Sequence, residues 1–149
     1  MLSTGDQVPD VTLLEKNVPV ALSSFRGKWL VLFFYPKDNT AGCTAEACSF
    51  RDAYEDFVEA GAEVAGVSSD DAASHDGFAA KHKLPFRLLS DPGEIARAAF
   101  GIPKTLGLFP GRATFVIDPG GTILHAFNSQ FAPLKHVSEA MTTLRGARD

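Results

Sequence analysis

Two side chains of this sequence, Cys43 and Cys48, have the clearest capacity for covalent chemistry, and they are its only cysteines. They follow the apolar run from Trp29 to Tyr35, whose length and closing proline predict a buried central strand. The loop after such a strand commonly leads into a helix. Peptide N–H groups at a helix start carry partial positive charge, which favours the nucleophilic thiolate form of cysteine. The sequence therefore predicts a reactive Cys43 at a helix start, with a second thiol nearby.

The spacing of the two cysteines constrains what they can do together. On one continuous helix, their five-residue separation places the Cα atoms roughly 9 Å apart, whereas a disulfide tolerates about 7 Å or less. A bond between Cys43 and Cys48 therefore requires the first helical turns to unwind. Few large side chains precede Phe50 in the predicted helix, so we expect this local unfolding to be accessible.

Passive roles for the cysteines must be weighed against reactive ones. Free cysteine is often a buried packing residue, and this interpretation stays open for Cys48, which lies next to the core-facing Ala47. Beside Cys43, Gly42 and the helix start offer poor packing surroundings, so a passive role is less expected there. Two cysteines at this spacing and four scattered histidines do not predict a zinc site. The histidines, expected to be surface or hydrogen-bonding residues, are His75, His82, His125 and His136.

The order of the predicted elements favours an α/β fold with a mixed central sheet flanked by helices. An N-terminal β-hairpin is expected from strands at 11–14 and 18–22, before the main sheet. An amphipathic helix follows Cys43, with Ala47, Phe50, Tyr54, Phe57 and Val58 inward and Gly61 as its stop. Further strands are predicted at 63–68, 86–90, 112–117 and 122–127, and helices at 72–82, at 95–100 and around Leu134, Val137, Met141 and Leu144. This is the element order of a thioredoxin-like fold.

Composition narrows the function classes. The 149 residues, 45% hydrophobic and 21% charged, predict a single globular domain over 1–149. A net charge of −4 offers no basic surface for nucleic acid, and no apolar stretch approaches the roughly 20 residues of a membrane span. The first residues lack the pattern of a secretory signal. We therefore expect a cytoplasmic protein with reduced thiols at rest.

A family resemblance adds to this interpretation. Pro36, Thr40 and Cys43, in the frame Pro-x-x-x-Thr-x-x-Cys, resemble the active-site signature of the peroxiredoxins, thiol peroxidases of thioredoxin-like fold. The longer segment 34–48 is similar to the subgroup known as bacterioferritin comigratory protein or peroxiredoxin Q. Segment 111–118 is similar to the second signature of that subgroup.

The resemblance assigns roles residue by residue. It makes Cys43 the peroxidatic nucleophile, which becomes a sulfenic acid, and Cys48 the resolving cysteine, which forms an intrachain disulfide with it. The Thr40 hydroxyl would hydrogen-bond the thiolate and the peroxide, and Pro36 would shield the pocket from water. The guanidinium of Arg112 would lie beside the sulfur, and the carboxylate of Glu46 would position that guanidinium.

The same resemblance covers residues 6–144 and implies a substrate and a partner. The substrate is hydrogen peroxide or a small organic hydroperoxide, and the reductant is thioredoxin or a similar dithiol. No metal, flavin or haem is implied, and a monomer suffices because both cysteines belong to one chain. The sequence departs from the subgroup at Ala41, where a second proline is more usual, but this removes no reacting group. An apolar rim for bulkier peroxides would come from Phe78, Leu106, Leu108 and Phe109, although core packing explains each equally well.

Other interpretations stay open at this point. Singly, Thr40 is also a helix N-cap, Arg112 a solvated arginine opening a strand, and Glu46 a favourable carboxylate in a first helical turn. Without a nearby cation, Glu46 would disfavour a neighbouring thiolate. Two other classes remain: a thiol-disulfide oxidoreductase, in which two residues rather than four usually separate the cysteines, and a noncatalytic thioredoxin-like binding module.

Overall fold

The computed structural model describes residues 1–105, 107 and 110–148. The strands in these ranges are β1 (Thr12–Glu15), β2 (Val18–Ala21), β3 (Trp29–Phe34), β4 (Ala62–Ser68), β5 (Arg87–Ser90), β6 (Ala113–Ile117) and β7 (Ile123–Asn128). The helices are α1 (Ala41–Asp52), α2 (Tyr54–Glu59), α3 (Ala72–His82), α4 (Ile95–Ala99) and α5 (Lys135–Arg148). Two short 3₁₀ turns occupy Leu22–Phe25 and Pro92–Glu94.

The strands form one mixed sheet in the order β2-β1-β5-β4-β3-β6-β7. Strands β3, β4 and β5 run parallel, with helices in the connections between them, and β6 and β7 add antiparallel strands beyond β3. The predicted central strand therefore pairs on both sides, and every residue from Leu30 to Phe34 is buried. This arrangement confirms the predicted α/β class, the mixed sheet and the thioredoxin-like order of elements.

The predicted N-terminal hairpin is present and forms part of the main sheet. Lys16 and Asn17 make its two-residue turn with φ values of 51° and 66°, the left-handed pair that a type I′ turn requires. Strand β1 also pairs with β5 through Leu14 and Ser90. The hairpin, expected to precede the sheet, is therefore its edge.

Alternation along β3 divides the hydrophobic core between the two faces of the sheet. Leu30, Leu32 and Phe34 belong to one buried cluster. Val31, Phe33 and Tyr35 belong to the other, together with side chains from the helices on that face: Cys43, Ala47 and Phe50 of α1 and Val137, Ala140 and Leu144 of α5. The cysteine helix and the last helix thus pack on the same face of the sheet.

The helix predicted to continue past Asp52 is divided in two. The backbone departs from helical geometry at Ala53, where φ is −95° and ψ is 1°, and α2 begins at the next residue. Phe57 is fully buried as predicted, but Val58 is 52% exposed, so its assignment to the core is wrong. After this break, the buried Phe57 and the partly buried Tyr54 carry the contact of α2 with the core.

Two apolar residues near the other helices also differ from expectation. Leu134 precedes α5 and is 57% exposed, so it does not mark the buried face of that helix. Phe78 is fully buried with its ring beside Tyr35 and His82, which makes it a core residue rather than part of an apolar rim. Leu106, Leu108 and Phe109 lie outside the described residues. No helix within the described ranges has the length and apolarity to cross a membrane.

Candidate active site

Cys43 lies in the first turn of α1, as predicted, but it is buried. The helix begins directly after Thr40, whose carbonyl accepts a hydrogen bond of 2.8 Å from the amide of Thr44. The Cys43 side chain is only 1% exposed and belongs to the apolar cluster beneath α1. The expectation of poor packing surroundings is wrong, because the helix turns the face that carries Cys43, Ala47 and Phe50 toward the sheet.

A buried guanidinium lies beside this sulfur. Arg112 donates from Nη2 to Cys43 Sγ at 3.4 Å and from Nη1 to Glu46 Oε1 at 2.7 Å. Arg112 is 2% exposed and Glu46 is fully buried. The structure therefore brings together three of the predicted site residues, although Arg112 is 69 positions along the chain from Cys43. Arg112 is not a solvated arginine at the start of a strand.

Gly42 permits the close approach of this arginine. A Cβ atom at position 42 would lie 3.2 Å from Arg112 Nη2, which is tighter than ordinary van der Waals contact between a carbon and a nitrogen atom. A side chain at this position would therefore press on the guanidinium that contacts Cys43. A larger residue at position 42 would therefore require the guanidinium to shift away from its present position.

The Glu46–Arg112 pair has distinctive electrostatics. Glu46 lies in the second turn of α1, so a favourable interaction of its carboxylate with the peptide N–H groups of the first turn does not explain its position. Burial raises the pKa of Glu46 to about 8, and the charge of Arg112 offsets only part of that effect. Burial by itself would lower the pKa of Arg112, but Glu46 and Cys43 raise it above its ordinary value. At neutral pH the guanidinium therefore keeps its charge, and burial makes the Glu46 carboxyl easier to protonate than an exposed one.

Cys48 lies on the same continuous helix and is half-buried. Both cysteines are free thiols, and the uninterrupted helix between them fixes the separation of roughly 9 Å that five helical steps produce. A disulfide cannot form across this distance. The structure thus retains the geometric requirement for local unwinding, and the buried Glu46 contact with Arg112 is one interaction that unwinding must break.

The structure places Thr40 and Pro36 next to the cysteine helix without a hydrogen bond to the sulfur. Thr40 occupies the N-cap position of α1, but its hydroxyl does not cap the helix and instead donates to the carbonyl of Lys37 at 2.9 Å. Among the hydrogen bonds of the described residues, none joins Thr40 to Cys43. Pro36 is half-buried directly after Tyr35. Their roles at the sulfur stay predictions.

Sequence reasoning did not identify the residues that anchor the cysteine loop. Asp38 is buried within that loop and accepts hydrogen bonds from Tyr35 Oη at 2.5 Å and Ser74 Oγ at 2.8 Å. His75 Nδ1 lies 2.7 Å from the same carboxylate. Despite its burial, hydrogen bonding holds the pKa of Asp38 below its ordinary value, with His75 the largest contributor and Tyr35 next. These contacts fix the loop to α3, and their only signal in the sequence is an aspartate between a strand and a helix.

Asp38, Asp70 and His75 also form a cluster whose possible ligand atoms lie within 4.8 Å of one another. The Asp38 carboxylate already binds Tyr35, Ser74 and His75. Asp70 Oδ2 accepts from the Asp38 amide at 2.8 Å and from Ser68 Oγ at 2.7 Å. The remaining nitrogen of His75 lies 3.1 Å from the carbonyl of Leu89. Internal hydrogen bonds therefore account for these side chains, and the cluster needs no ion to explain it.

His136 is a buried group behind the Glu46–Arg112 pair. Its Nε2 lies 2.8 Å from the carbonyl of Ser129, which can only accept, so that nitrogen carries the proton. Its Nδ1 then accepts from Thr114 Oγ1 at 2.8 Å and faces Glu46 Oε2 at 3.6 Å. Burial lowers the pKa of His136 to about 4, and the hydrogen bond to Ser129 offsets part of this effect. The ring is therefore neutral at physiological pH.

We expect His136 to destabilise the fold as the solution is acidified. Its folded-state pKa of about 4 lies below the unfolded value of about 6.5, so its contribution is complete above pH 6.5 and is lost as the pH falls toward 4. The difference corresponds to up to about 3 kcal/mol of the free energy of unfolding. Urea unfolding at pH 7.5, 5 and 4, for the native chain and for His136→Gln, measures this contribution.

The change in stability with pH must be compared between the native chain and the variant, because protonation of Glu46 stabilises the fold on acidification while protonation of His136 destabilises it. The raised pKa of Glu46 makes protonation below pH 8 favour the folded state, but this contribution is common to both proteins. The native chain should lose more stability on acidification than His136→Gln. A matched control, His125→Gln, replaces a half-buried histidine that pairs with Glu139 and should keep the acid sensitivity. Equal acid sensitivity in the native chain and His136→Gln would contradict the prediction.

A thiol beside a buried guanidinium, at the start of a helix on a thioredoxin-like sheet, defines a cysteine-based redox enzyme. The family model described as AhpC/TSA family matches residues 4–126. The chain is 49% identical over 146 residues to the chloroplastic peroxiredoxin Q of Triticum aestivum, covering 97% of this chain and 67% of that protein. The chain belongs to the AhpC/TSA family and, within it, to the peroxiredoxin Q subgroup.

Solved structures agree with this assignment. Peroxidoxin BcpB from Mycobacterium tuberculosis aligns with a TM-score of 0.91 and 37% identity, covering 100% of both chains. The bacterioferritin comigratory protein of Xanthomonas campestris, which has alkyl peroxide reduction activity, aligns with a TM-score of 0.85 and 32% identity, covering 97% of this chain and 100% of that one. The protein is therefore a thiol peroxidase. Family membership excludes the noncatalytic binding module and disfavours the thiol-disulfide oxidoreductase.

Proposed function

We propose that Cys43 reduces hydroperoxides by direct attack of its thiolate on the peroxide. The sulfur bonds to the hydroxyl oxygen of HO–OR as the O–O bond breaks, which gives a sulfenic acid on Cys43 and RO⁻. The departing oxygen takes up a proton and leaves as water or an alcohol. The observation that carries this proposal is the 3.4 Å contact between Arg112 Nη2 and Cys43 Sγ.

The buried guanidinium supports this step in two ways. It stabilises negative charge on the attacking sulfur, and it offers fixed N–H donors to the charge that develops on the departing oxygen. Both effects are strong because Arg112 and Cys43 are almost completely removed from solvent. Glu46 holds the arginine in place through its 2.7 Å contact with Nη1.

We propose that Thr40 accepts the proton-bearing end of the peroxide and that Pro36 limits the entry of water. The Thr40 hydroxyl donates its proton to the carbonyl of Lys37, so its lone pairs are left to accept a hydrogen bond. A hydroperoxide held in this way presents its O–H to Thr40 and its O–O bond to the sulfur. Pro36 is half-buried at the start of the same loop and has no amide N–H to bind water.

We further propose that Cys48 resolves the sulfenic acid after the first turns of α1 unwind. The Cys48 thiol attacks the Cys43 sulfur, an S–S bond forms, and the hydroxyl leaves with a proton as water. Unwinding is supported by the helical separation of the two thiols and by the small side chains between them. Phe50, which stacks on Phe33 with ring centroids 4.4 Å apart, anchors the part of α1 that remains helical.

The disulfide requires an external dithiol, and we propose thioredoxin or a similar protein as the reductant. Exchange reduces the Cys43–Cys48 bond and leaves a disulfide on the partner. Such a cycle fits a reducing compartment such as the cytoplasm. Turnover with thioredoxin and thioredoxin reductase, followed by NADPH consumption, tests the partner. Peroxide reduction that continues with glutathione but not with thioredoxin would reject it.

We propose that residues 1–149 act as one domain and as a monomer. The single sheet that includes all seven described strands supports one folding unit, and both cysteines of the cycle come from one chain. Light scattering after size-exclusion chromatography should give a mass near 15.9 kDa, and unfolding should occur in one transition. A mass near twice that value would reject the monomer.

Single-turnover kinetics test the division of labour between the two cysteines. Cys48→Ser should react with one equivalent of hydrogen peroxide at nearly the native rate, because the reaction at Cys43 does not involve Cys48. It should then accumulate sulfenic acid, which dimedone traps on the peptide that contains Cys43. The native chain should instead give an intrachain disulfide, which mass spectrometry identifies.

The control for this experiment is Ala45→Ser, which changes an exposed position on the same helix and should leave both steps intact. Rapid oxidation at position 48 when Cys43 is absent would contradict the assignment of roles. A Cys48→Ser protein that oxidises more than tenfold slower than the native chain would contradict it as well.

A further inference from the structure

We propose that Arg97 is a positioning residue for the peroxide reaction, because its guanidinium joins the segment that carries the cysteine loop to the segment that carries Arg112. This inference depends on the proposed roles of Cys43 and Arg112. Arg97 is not proposed to contact a reacting atom. It acts by fixing the distance between the cysteine loop and the segment that carries Arg112, which strand pairing does not connect beyond the end of the sheet.

The contacts of Arg97 are made to two backbone carbonyls at the site. Its Nη2 donates to the carbonyl of Tyr35 at 3.0 Å, and its Nη1 donates to the carbonyl of Gly111. Tyr35 immediately precedes Pro36, where the cysteine loop begins, and Gly111 immediately precedes Arg112. One planar guanidinium thus contacts the last residue before each of the two segments that meet at the sulfur.

These carbonyls lie where the β3–β6 ladder stops. The pairing of β3 with β6 runs from Leu30 opposite Ile117 to Phe34 opposite Ala113. The next opposed residues would be Tyr35 and Arg112, but they lie beyond the described ladder. The rigid fork of a guanidinium places two nitrogen donors at a fixed separation, whereas the three donors of a lysine share one nitrogen. Arg97 therefore replaces strand pairing at the end of the sheet nearest the site.

The arginine is itself held firmly. It is 6% exposed, and its backbone amide donates to the buried carboxylate of Asp91 at 3.0 Å, as that of Ala96 does at 2.9 Å. Its Cζ lies 5.7 Å from the centre of the Phe34 ring, within range of a cation–π interaction. Because both the backbone and the side chain of Arg97 are restrained, its guanidinium is held at a fixed position relative to α4 and can hold the two carbonyls at fixed positions as well.

Gly111 shows how closely this region is assembled. A Cβ atom at position 111 would collide with the carbonyl of Pro103. The segment before Arg112 is therefore confined on one side by the backbone near Pro103, and its carbonyl is held by Arg97. With Gly111 fixed, the starting point of the Arg112 side chain is fixed relative to β3.

Electrostatics agree with a location close to the reaction centre. Burial lowers the pKa of Arg97, while Glu94, Asp91 and Cys43 each act to raise it and Arg112 acts to lower it. The charge of Arg97 therefore interacts with both Cys43 and Arg112. It adds a second buried positive charge to the surroundings of the sulfur.

The test is a double-mutant cycle on the rate constant for oxidation of Cys43 by hydrogen peroxide, measured in the full-length reduced protein. Arg97→Met should lower this rate constant roughly 10- to 100-fold, because small displacements of reacting groups have effects of this size. Arg97→Lys should lose less than Arg97→Met, yet remain below the native rate, because one ammonium nitrogen cannot reproduce the separation of the two guanidinium donors.

The cycle separates positioning from an independent structural effect. If Arg97 acts through Arg112, the double variant Arg97→Met/Arg112→Leu should lose no more than Arg112→Leu alone. Losses that multiply in the double variant would overturn the proposal. Rates within twofold of the native chain for Arg97→Met would overturn it too. Should Arg97→Met fail to fold, a native rate in Arg97→Lys would be enough to reject the positioning role.

A control is available in Arg87 of β5, which is bound to the carboxylates of Glu15 and Glu63. Arg87→Met also removes a hydrogen-bonded arginine, but one that contacts neither of the carbonyls that Arg97 binds, and it should leave the rate constant unchanged. Failure of the inference can be told apart from failure of the proposed function. A native rate in Arg97→Met together with an inactive Cys43→Ser rejects only the role of Arg97, whereas an active Cys43→Ser rejects the proposed chemistry.

Discussion

Cys43→Ser is expected to lower the rate constant for peroxide reduction by at least roughly a thousandfold, as the loss of a nucleophile does in other enzymes. A serine hydroxyl does not ionise near neutral pH and cannot accept an oxygen atom as sulfur does. The buried guanidinium and the loop remain in the variant, but they have no nucleophile to assist. Stopped-flow mixing with hydrogen peroxide, or a competition assay with another peroxidase, measures the loss.

The substitution is nearly isosteric, so the loss should not come from unfolding. The site is buried, and the serine hydroxyl can accept the hydrogen bond from Arg112 that the sulfur accepts in the native chain. Circular dichroism and the urea midpoint should therefore stay close to native values. Cys48→Ser is the paired control, because it removes the other thiol and should keep the first step. A Cys43→Ser protein within tenfold of the native rate would require a different nucleophile.

Much of the scaffold was predictable because its signals are local. The apolar run of β3, the N-terminal hairpin and the helix from Ala72 to His82 each depend on a short stretch of sequence. The start of α1 ahead of Cys43 has the same origin. Local patterns of this kind specify the element that carries a residue and the approximate point where it begins.

The predictions that failed depend on how elements pack. The break at Ala53 and the exposure of Val58 depend on which residues of α2 pack against the core, and no local pattern encodes that packing. The burial of Cys43 depends on which face α1 turns inward. Because Gly42 and the helix start suggested poor packing surroundings, the sequence alone did not predict that Cys43 packs in the core.

The site itself was only partly accessible from sequence. The proximity of Arg112 to Cys43 was expected from a resemblance and not from spacing, since the two lie on separate elements. Asp38 and Arg97 gave no comparable signal. Their importance comes from contacts with backbone carbonyls, hydroxyls and amides of distant segments, and such contacts depend on the completed fold.

Arg112→Leu is expected to slow Cys43 oxidation by about 100- to 1,000-fold, the range seen when one donor to a developing oxyanion is removed. The variant loses the positive charge 3.4 Å from the sulfur and the N–H donors for the departing oxygen. Glu46 would be left buried without its partner, but its raised pKa allows it to remain protonated at pH 7. The protein should therefore still fold, and slower chemistry should account for the loss.

Two further substitutions separate charge from geometry. Arg112→Lys keeps a positive charge but cannot contact Glu46 and Cys43 in the same fork, so we expect a rate between those of the native chain and Arg112→Leu. Glu46→Gln keeps an acceptor for the arginine and should change the rate constant by less than tenfold at pH 7, because the contact that positions Arg112 is retained. Above pH 8 the native carboxylate should begin to neutralise Arg112, so the ratio of the native rate to that of Glu46→Gln should fall as the pH rises. A native rate in Arg112→Leu would mean that the cation beside Cys43 is structural, and that the energy for breaking the O–O bond comes from another source.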